Sequence, residues 1–192
     1  MLWFGSARPA IESLVESHYA ALYRYAYRLS GAAQEAEDLT QETFCLAQTK
    51  LFQLREANRA KAWLFSILRN AYLHKVRTSK QEKQVSLDSI GEIPDRDSER
   101  LSDIDAAQLQ NALDELPEAF KTPIILFYFE EFSYKEIAEQ MDVPLGTVMS
   151  RLARAKAFLR QRLTDRAELV EMGTPKPQAS PASGEGMRTE GL

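Results

Sequence analysis

The sequence predicts an all-α protein: two small helical domains joined by a flexible acidic linker, the C-terminal one a helix-turn-helix. Three observations carry this reading. Apolar residues recur with helical spacing, and no alternating strand pattern stands out. The stretch over residues 81–102 is polar and acidic, with Gly91 and Pro94 and little apolar periodicity. A short capped segment, a tight turn and a longer basic segment follow one another from Ser133 to Arg166. With 192 residues, 44% of them hydrophobic and 27% charged, the chain has room for two such domains.

The first helix is expected from Pro9 to Ser30, because Pro suits a first helical turn and Gly31 a C-terminal cap. A second covers Ala33 to Leu54 and a third Ala60 to Ser79, completing a domain over 8–80. Beyond the linker, helical signals resume at Asp103–Leu116, and Pro117 opens a new start for Glu118–Glu130. Ser133–Met141 and Leu145–Arg166 complete a second domain over 103–170. From Gly173 onward the chain holds four Gly and three Pro with almost no large apolar residues, so 171–192 reads as a disordered tail.

The longest strongly apolar run, Ile124–Phe129, has six residues, far short of the roughly 20 that span a bilayer. The start, Met1-Leu-Trp-Phe4, has neither the basic leader nor the apolar stretch of a signal peptide. Cys45 is the single cysteine and has no partner for an internal disulfide. These features predict a soluble protein of the reducing cytoplasm with no direct membrane insertion. Net charge is −4, which alone argues against nucleic-acid binding. The distribution argues the other way. Residues 55–83 hold eight Lys/Arg against two acids and 147–166 six against one, whereas 84–118 hold two against ten.

Ser133-Tyr-Lys-Glu136 has the spacing of a capping box, with Ile137, Ala138 and Met141 as the inward face of a short helix. Asp142-Val-Pro-Leu-Gly146 interrupts it before the basic helix. On that helix Val148, Leu152, Ala155, Leu159 and Leu163 fall within a stripe about 80° wide at 100° per residue. Ser150, Arg151, Ala153, Arg154 and Ala157 face the opposite side. Small residues there let a helix sit deep in a major groove, and Arg can meet guanine edges or phosphates. In the third helix Trp63, Leu64, Phe65, Ile67, Leu68, Ala71, Tyr72 and Val76 cover a broad apolar face. Ser66, Arg69, Asn70 and Arg77 share the remaining polar stripe, with Lys61 and Lys75 at its margins. Such a face suits either a plain core or single-stranded DNA.

Four motifs occur in order: Asp38-Leu-Thr-Gln-Glu-Thr-Phe44, Lys61-Ala-Trp-Leu-Phe-Ser-Ile-Leu-Arg-Asn70, Leu116-Pro with Phe132-Ser-Tyr-Lys-Glu-Ile-Ala138, and Gly146-Thr-Val-Met-Ser-Arg-Leu-Ala-Arg-Ala155. Together they closely resemble the extracytoplasmic-function (ECF) sigma factors, two-domain initiation factors of bacterial RNA polymerase, over residues 8–165. The resemblance implies an alternative sigma factor that binds the polymerase core and directs initiation through −10 and −35 recognition. Asp38, Gln41 and Glu42 match the segment that docks on the coiled coil of the largest subunit, and Phe44 is expected to pack inside the domain. Arg55, Asn58, Arg59 and Lys61, with Arg69, Asn70 and Arg77 on the following helix, match the part that melts and reads the −10 element, where a flipped base is held in a pocket. Thr147, Ser150, Arg151, Arg154 and Lys156 are the −35 candidates, and the first helices of that domain are expected to dock on the polymerase flap. Met149 and Ala153 depart from the family, where larger polar or basic side chains are common. An anti-sigma factor is an expected further partner.

A free-standing helix-turn-helix regulator is the competing reading. It explains residues 117–166 but leaves the Asp38–Phe44 and Trp63–Asn70 motifs unused, and no heptad run supplies a dimer interface. An enzyme finds little support: His18 and His74 are isolated, Cys45 has no neighbouring His, and no phosphate loop or metal-ligand spacing occurs. No cofactor and no metal are expected.

Overall fold

A computed structural model describes residues 10–79 and 105–173. Within them the chain is helical: α1 (Ile11–Ser30), α2 (Ala33–Lys50), α3 (Ala60–Ser79), α4 (Ala106–Asp114), α5 (Glu118–Tyr128), α6 (Tyr134–Met141) and α7 (Leu145–Gly173). The expected linker at 81–102 lies outside the described residues, as does the expected tail from 174 onward. Helix α7 itself continues past the expected end at Arg166 to Gly173.

Helix α1 ends where the sequence places its cap. Gly31 takes the left-handed φ of 75°, and its N–H donates to Tyr27 O at 2.8 Å. Helix α2 ends at Lys50, earlier than the expected Leu54; a 3₁₀ turn, Leu51–Gln53, takes over, and Leu54 N–H donates to Leu51 O at 3.1 Å. A second 3₁₀ turn, Ala57–Arg59, leads into α3. The side chain of Asp105 caps α4 by accepting from the Ala107 N–H, so that helix starts later than the expected Asp103.

Leu22, Tyr25, Leu29, Leu39, Leu64 and Leu68 form the centre of the first three-helix unit. Leu113, Ile125, Leu126, Ile137, Val148 and Leu152 do so for the second. The two units share one continuous core. Phe65 of α3 stacks on Tyr25 with centroids 4.9 Å apart and meets Phe132, ahead of α6, at 5.2 Å. Around this aromatic bridge lies a ring of polar contacts. The buried Lys121 ammonium donates to Leu29 O at 3.3 Å and lies 3.4 Å from Asp114 and 3.8 Å from Glu118. The Tyr72 hydroxyl stands 2.9 Å from Leu29 O and 2.7 Å from a Glu118 carboxylate oxygen, donating to one at a time. Burial first, and then Glu118, holds that phenol protonated well above the usual tyrosine range. Gly31 is hemmed in here as well: a Cβ at that position would stand 2.6 Å from Asp114 Oδ2. The end of α1 is therefore a seat for the α4–α5 corner.

Candidate nucleic-acid interface

The C-terminal interface is built from the cap inward. Ser133 Oγ accepts from the Glu136 N–H at 3.3 Å, while Glu136 Oε2 accepts from Ser133 N–H at 2.8 Å and from its hydroxyl at 2.6 Å. These bonds hold the Glu136 carboxyl below its ordinary value. The turn that follows lies within the expected interruption, and α7 starts at Leu145. Gly146 lies inside the first turn of α7, and a Cβ there would meet nothing within 4 Å. Asp142 supplies the left-handed residue instead, with φ 52°, and its N–H donates to Ala138 O. Aspartate tolerates that region because its short side chain bonds locally. Thr147 N–H then donates to Pro144 O at 2.9 Å, starting α7.

On α7 the expected stripe is inward: Val148, Leu152, Ala155 and Leu159 are buried and Leu163 is half-buried. Ser150, Ala153 and Arg154 face solvent, and Thr147, Arg151 and Lys156 are half-exposed beside them. Ser150 Oγ donates back to Thr147 O at 3.0 Å, which ties it to its own helix in the unbound chain. Leu145 and Met149, 49% and 52% exposed, add apolar surface at the helix start.

The N-terminal candidates separate into two groups. Arg55, Asn58, Arg59, Asn70 and Arg77 are exposed. Arg59 lies 3.6 Å from Glu56 in a solvent-facing pair of little energetic weight. Lys61 and Arg69 are half-buried and engaged by the second unit. The Lys61 ammonium donates to Glu130 O at 2.6 Å and lies 5.0 Å from the Phe132 ring centroid. Arg69 Nη1 donates to Gln140 O at 3.0 Å, and burial lowers its guanidinium pKa. The structure thus does not gather the seven residues on one open face.

Sequence reasoning missed the groove that lies among them. About 460 Å³ in volume, it is lined by Arg55, Glu56, Arg59, Trp63 and Ser66 together with Glu136 and Glu139 of α6. Trp63, on the apolar face that suits either a core or single-stranded DNA, is half-buried, and its spacing of four from Arg59 was the available signal.

The third candidate surface is on α2. Asp38, Gln41 and Glu42 are exposed opposite Ala36, Leu39, Thr40, Thr43 and Ala47, which are buried. Thr40 and Thr43 satisfy their hydroxyls on Ala36 O and Leu39 O, both at 2.7 Å. Asp38 accepts from Gln34 at 3.4 Å, and Glu42 pairs with Lys75 of α3 at 3.7 Å. Phe44 packs as expected, stacked on Tyr19 at 6.3 Å. His18 is half-buried, and burial, aided by the Lys61 charge, lowers its pKa; His74 and Cys45 are exposed. Among the described residues no group of three or more His, Cys, Asp or Glu could hold a metal ion, and no helix is long and apolar enough to cross a membrane.

Fold and surfaces together define a two-unit helical protein with a capped helix-turn-helix, the class that reads duplex DNA through one exposed helix. Comparison with known proteins resolves the class further. Residues 14–82 match Sigma-70 region 2, and residues 106–159 match Sigma-70 region 4. The chain is 37% identical over 167 residues to the ECF RNA polymerase sigma factor SigE of Mycolicibacterium smegmatis, covering 82% of this chain and 63% of that protein. It is 31% identical over 158 residues to the ECF sigma factor SigL of Mycobacterium tuberculosis, covering 81% and 89%. Among solved structures, the sigma factor RpoE of Bartonella quintana, in complex with the anti-sigma factor NepR, superposes with a TM-score of 0.66 at 30% identity, covering 80% of this chain and 96% of that one. The chain belongs to the ECF sigma factors. It is an alternative sigma factor, of the class that directs promoter-specific transcription and is not enzymatic.

Proposed function

We propose that this sigma factor docks on the polymerase core through Asp38, Gln41 and Glu42 of α2, and reads −35 DNA with the exposed face of α7. Melting and −10 recognition fall to the loop before α3 and to α3 itself, through Arg55, Asn58, Arg59, Lys61, Arg69, Asn70 and Arg77. The observation that carries this reading is the separation of charge by surface. Two carboxylates and an amide face solvent on α2, while exposed Arg55 and Arg59 line the loop before α3 and Arg154, flanked by half-exposed Arg151 and Lys156, lies on the outer face of α7. A basic coiled coil suits the first surface and phosphate the other two. Bacterial RNA polymerase core and promoter DNA are the partners this implies. The likeness to a sigma factor solved with NepR supports an anti-sigma factor as a third. These partners place the protein in the cytoplasm.

The test is transcription by purified core polymerase plus this chain on a randomised promoter library. Start sites sharing paired −10 and −35 elements are expected. Failure to assemble with core, together with tight duplex binding by the chain alone, would instead identify a free-standing regulator.

A further inference from the structure

The outer face of α7 carries two parallel rows of side chains, each advancing one turn at a time. Positions four apart on a helix stay within about 40° of each other. Ser150 and Arg154 therefore form one row, and Leu145, Met149 and Ala153 form the next. The first row is polar. The second is wholly apolar, yet Leu145 and Met149 are 49% and 52% exposed and Ala153 faces solvent. The core of the unit is already served by Val148, Leu152, Ala155 and Leu159, so this second row is apolar surface that the fold leaves uncovered.

Three features say what covers it. The first turn of α7 stands clear of the other helices: a Cβ on Gly146, three residues before Met149, would meet nothing within 4 Å. Cations run along the same helix without anions among them. Arg151, Arg154, Lys156 and Arg160 follow the row, and the sequence holds no Asp or Glu between Asp142 and Asp165. An apolar protein partner has no need of that charge, whereas a duplex, whose phosphates border its groove, does. Finally, the polar row alongside suits a guanine edge, and the base-edge group left for an apolar row in the major groove is the 5-methyl of thymine. Leu145 is the least suited of the three, because it lines a hollow with Glu139 and Asp142, whose carboxylates repel phosphate. Met149 and Ala153 have no such neighbours along the row.

We propose that Met149, with Ala153 beside it, reads a thymine 5-methyl group in the −35 element. The polar row selects guanine and the apolar row selects a neighbouring thymine on either strand. An unbranched thioether reaches outward and adapts to the methyl, and the small Ala153 lets the helix come close enough for contact. The proposal deepens the assignment of α7 to −35 DNA made above and rests on it.

The experiment uses the full chain assembled with polymerase core, on promoters that differ by single methyl groups. A randomised −35 library first gives the wild-type preference. Each preferred thymine is then replaced by uracil, which pairs identically and lacks only the 5-methyl. One or two of these replacements should lower complex formation about fourfold, the worth of one buried methyl. Met149→Leu should keep that response. Met149→Ala should lose it, forming complexes equally on thymine and uracil promoters while still preferring the guanine set by Arg154, which shows that the variant is folded and bound. A uracil response that persists unchanged in Met149→Ala, or no response at any thymine, overturns the proposal; the −35 assignment survives if Arg154→Ala still relaxes base preference. A wild-type holoenzyme indifferent to every −35 position overturns that assignment and the proposal with it. A Met149→Ala variant that instead assembles poorly with core, whatever the promoter, makes the row a protein contact and overturns the proposal as well.

Discussion

The ammonium of Lys61 ends 2.6 Å from the carbonyl oxygen of Glu130, sixty-nine residues further along the chain. One bond thus joins a residue assigned to promoter DNA with the turn that precedes the helix-turn-helix. The Glu130 side chain is itself 3% exposed and lies beside Arg28. Charge at this junction therefore bears on the stability of the packed chain.

Acidification should stabilise the folded chain at Glu130. Burial raises the Glu130 carboxyl above its ordinary value, although Arg28, Arg24 and Lys61 oppose that rise and Glu131 adds to it. The folded chain therefore binds this proton more tightly than the unfolded one. Its contribution grows as pH falls through the raised value and is complete near the ordinary 4.5. Glu130→Gln removes the titration. The gap in urea midpoint between wild type and variant should narrow from about pH 7.5 to about pH 5. A constant gap would show that Glu130 titration is not linked to stability.

Loss of the α6 cap should cost about 1 kcal/mol. Ser133→Ala removes the acceptor for the Glu136 N–H and a donor to the Glu136 carboxylate, leaving the backbone bond from Ser133. Urea unfolding should show a lower midpoint with an unchanged slope. Because α6 sets the start of α7, −35 duplex binding should weaken with it. An unaltered midpoint would mean that the cap is redundant.

How much of this was legible follows from how far each feature reaches along the chain. The Ser133–Glu136 cap and the Val148–Leu159 stripe are local, repeating every three or four residues, and they stand where the spacing put them. The interruption at Asp142–Gly146 was legible too, but not that its left-handed residue is an aspartate, because that depends on the backbone path from α6 into α7. The Lys121, Tyr72 and Glu130 contacts are another matter. Periodicity says that a face is buried but not against what. These polar groups could be matched only once α1, α3 and α5 had been brought together. The same long-range packing turned Lys61 and Arg69 from open candidates into covered ones.

Charge reversal on α2 should abolish holoenzyme assembly without unfolding the protein. Asp38→Lys with Glu42→Lys inverts two exposed carboxylates and breaks the surface pair with Lys75 at 3.7 Å and the exposed Gln34–Asp38 hydrogen bond at 3.4 Å. Such a pair contributes about 0–1 kcal/mol, so the fold should survive. Opposed like charges at an interface cost several kcal/mol. Lys75→Ala controls for loss of the pair alone and should assemble normally. Wild-type affinity for core in the folded double variant would remove α2 from the docking surface.

Base selection at the −35 element should depend on Arg154. Its side chain is exposed on the α7 face opposite the buried Val148–Leu159 stripe, one turn beyond Ser150, and the exposed Ala153 beside it lets the backbone approach DNA closely. Guanidinium is the side chain best shaped to pair with both acceptors on a guanine edge. Arg154→Ala should therefore cost about 1–3 kcal/mol and relax preference at one or two base pairs. Lys156 is half-buried at the margin of this face, where phosphate is the nearer target. Lys156→Ala should weaken all sequences about equally and make binding less sensitive to salt. Transcription from a library of −35 variants separates the two effects. If Arg154→Ala lowers activity uniformly and leaves base preference intact, Arg154 contacts only the backbone, and the readout lies with Ser150 and Arg151.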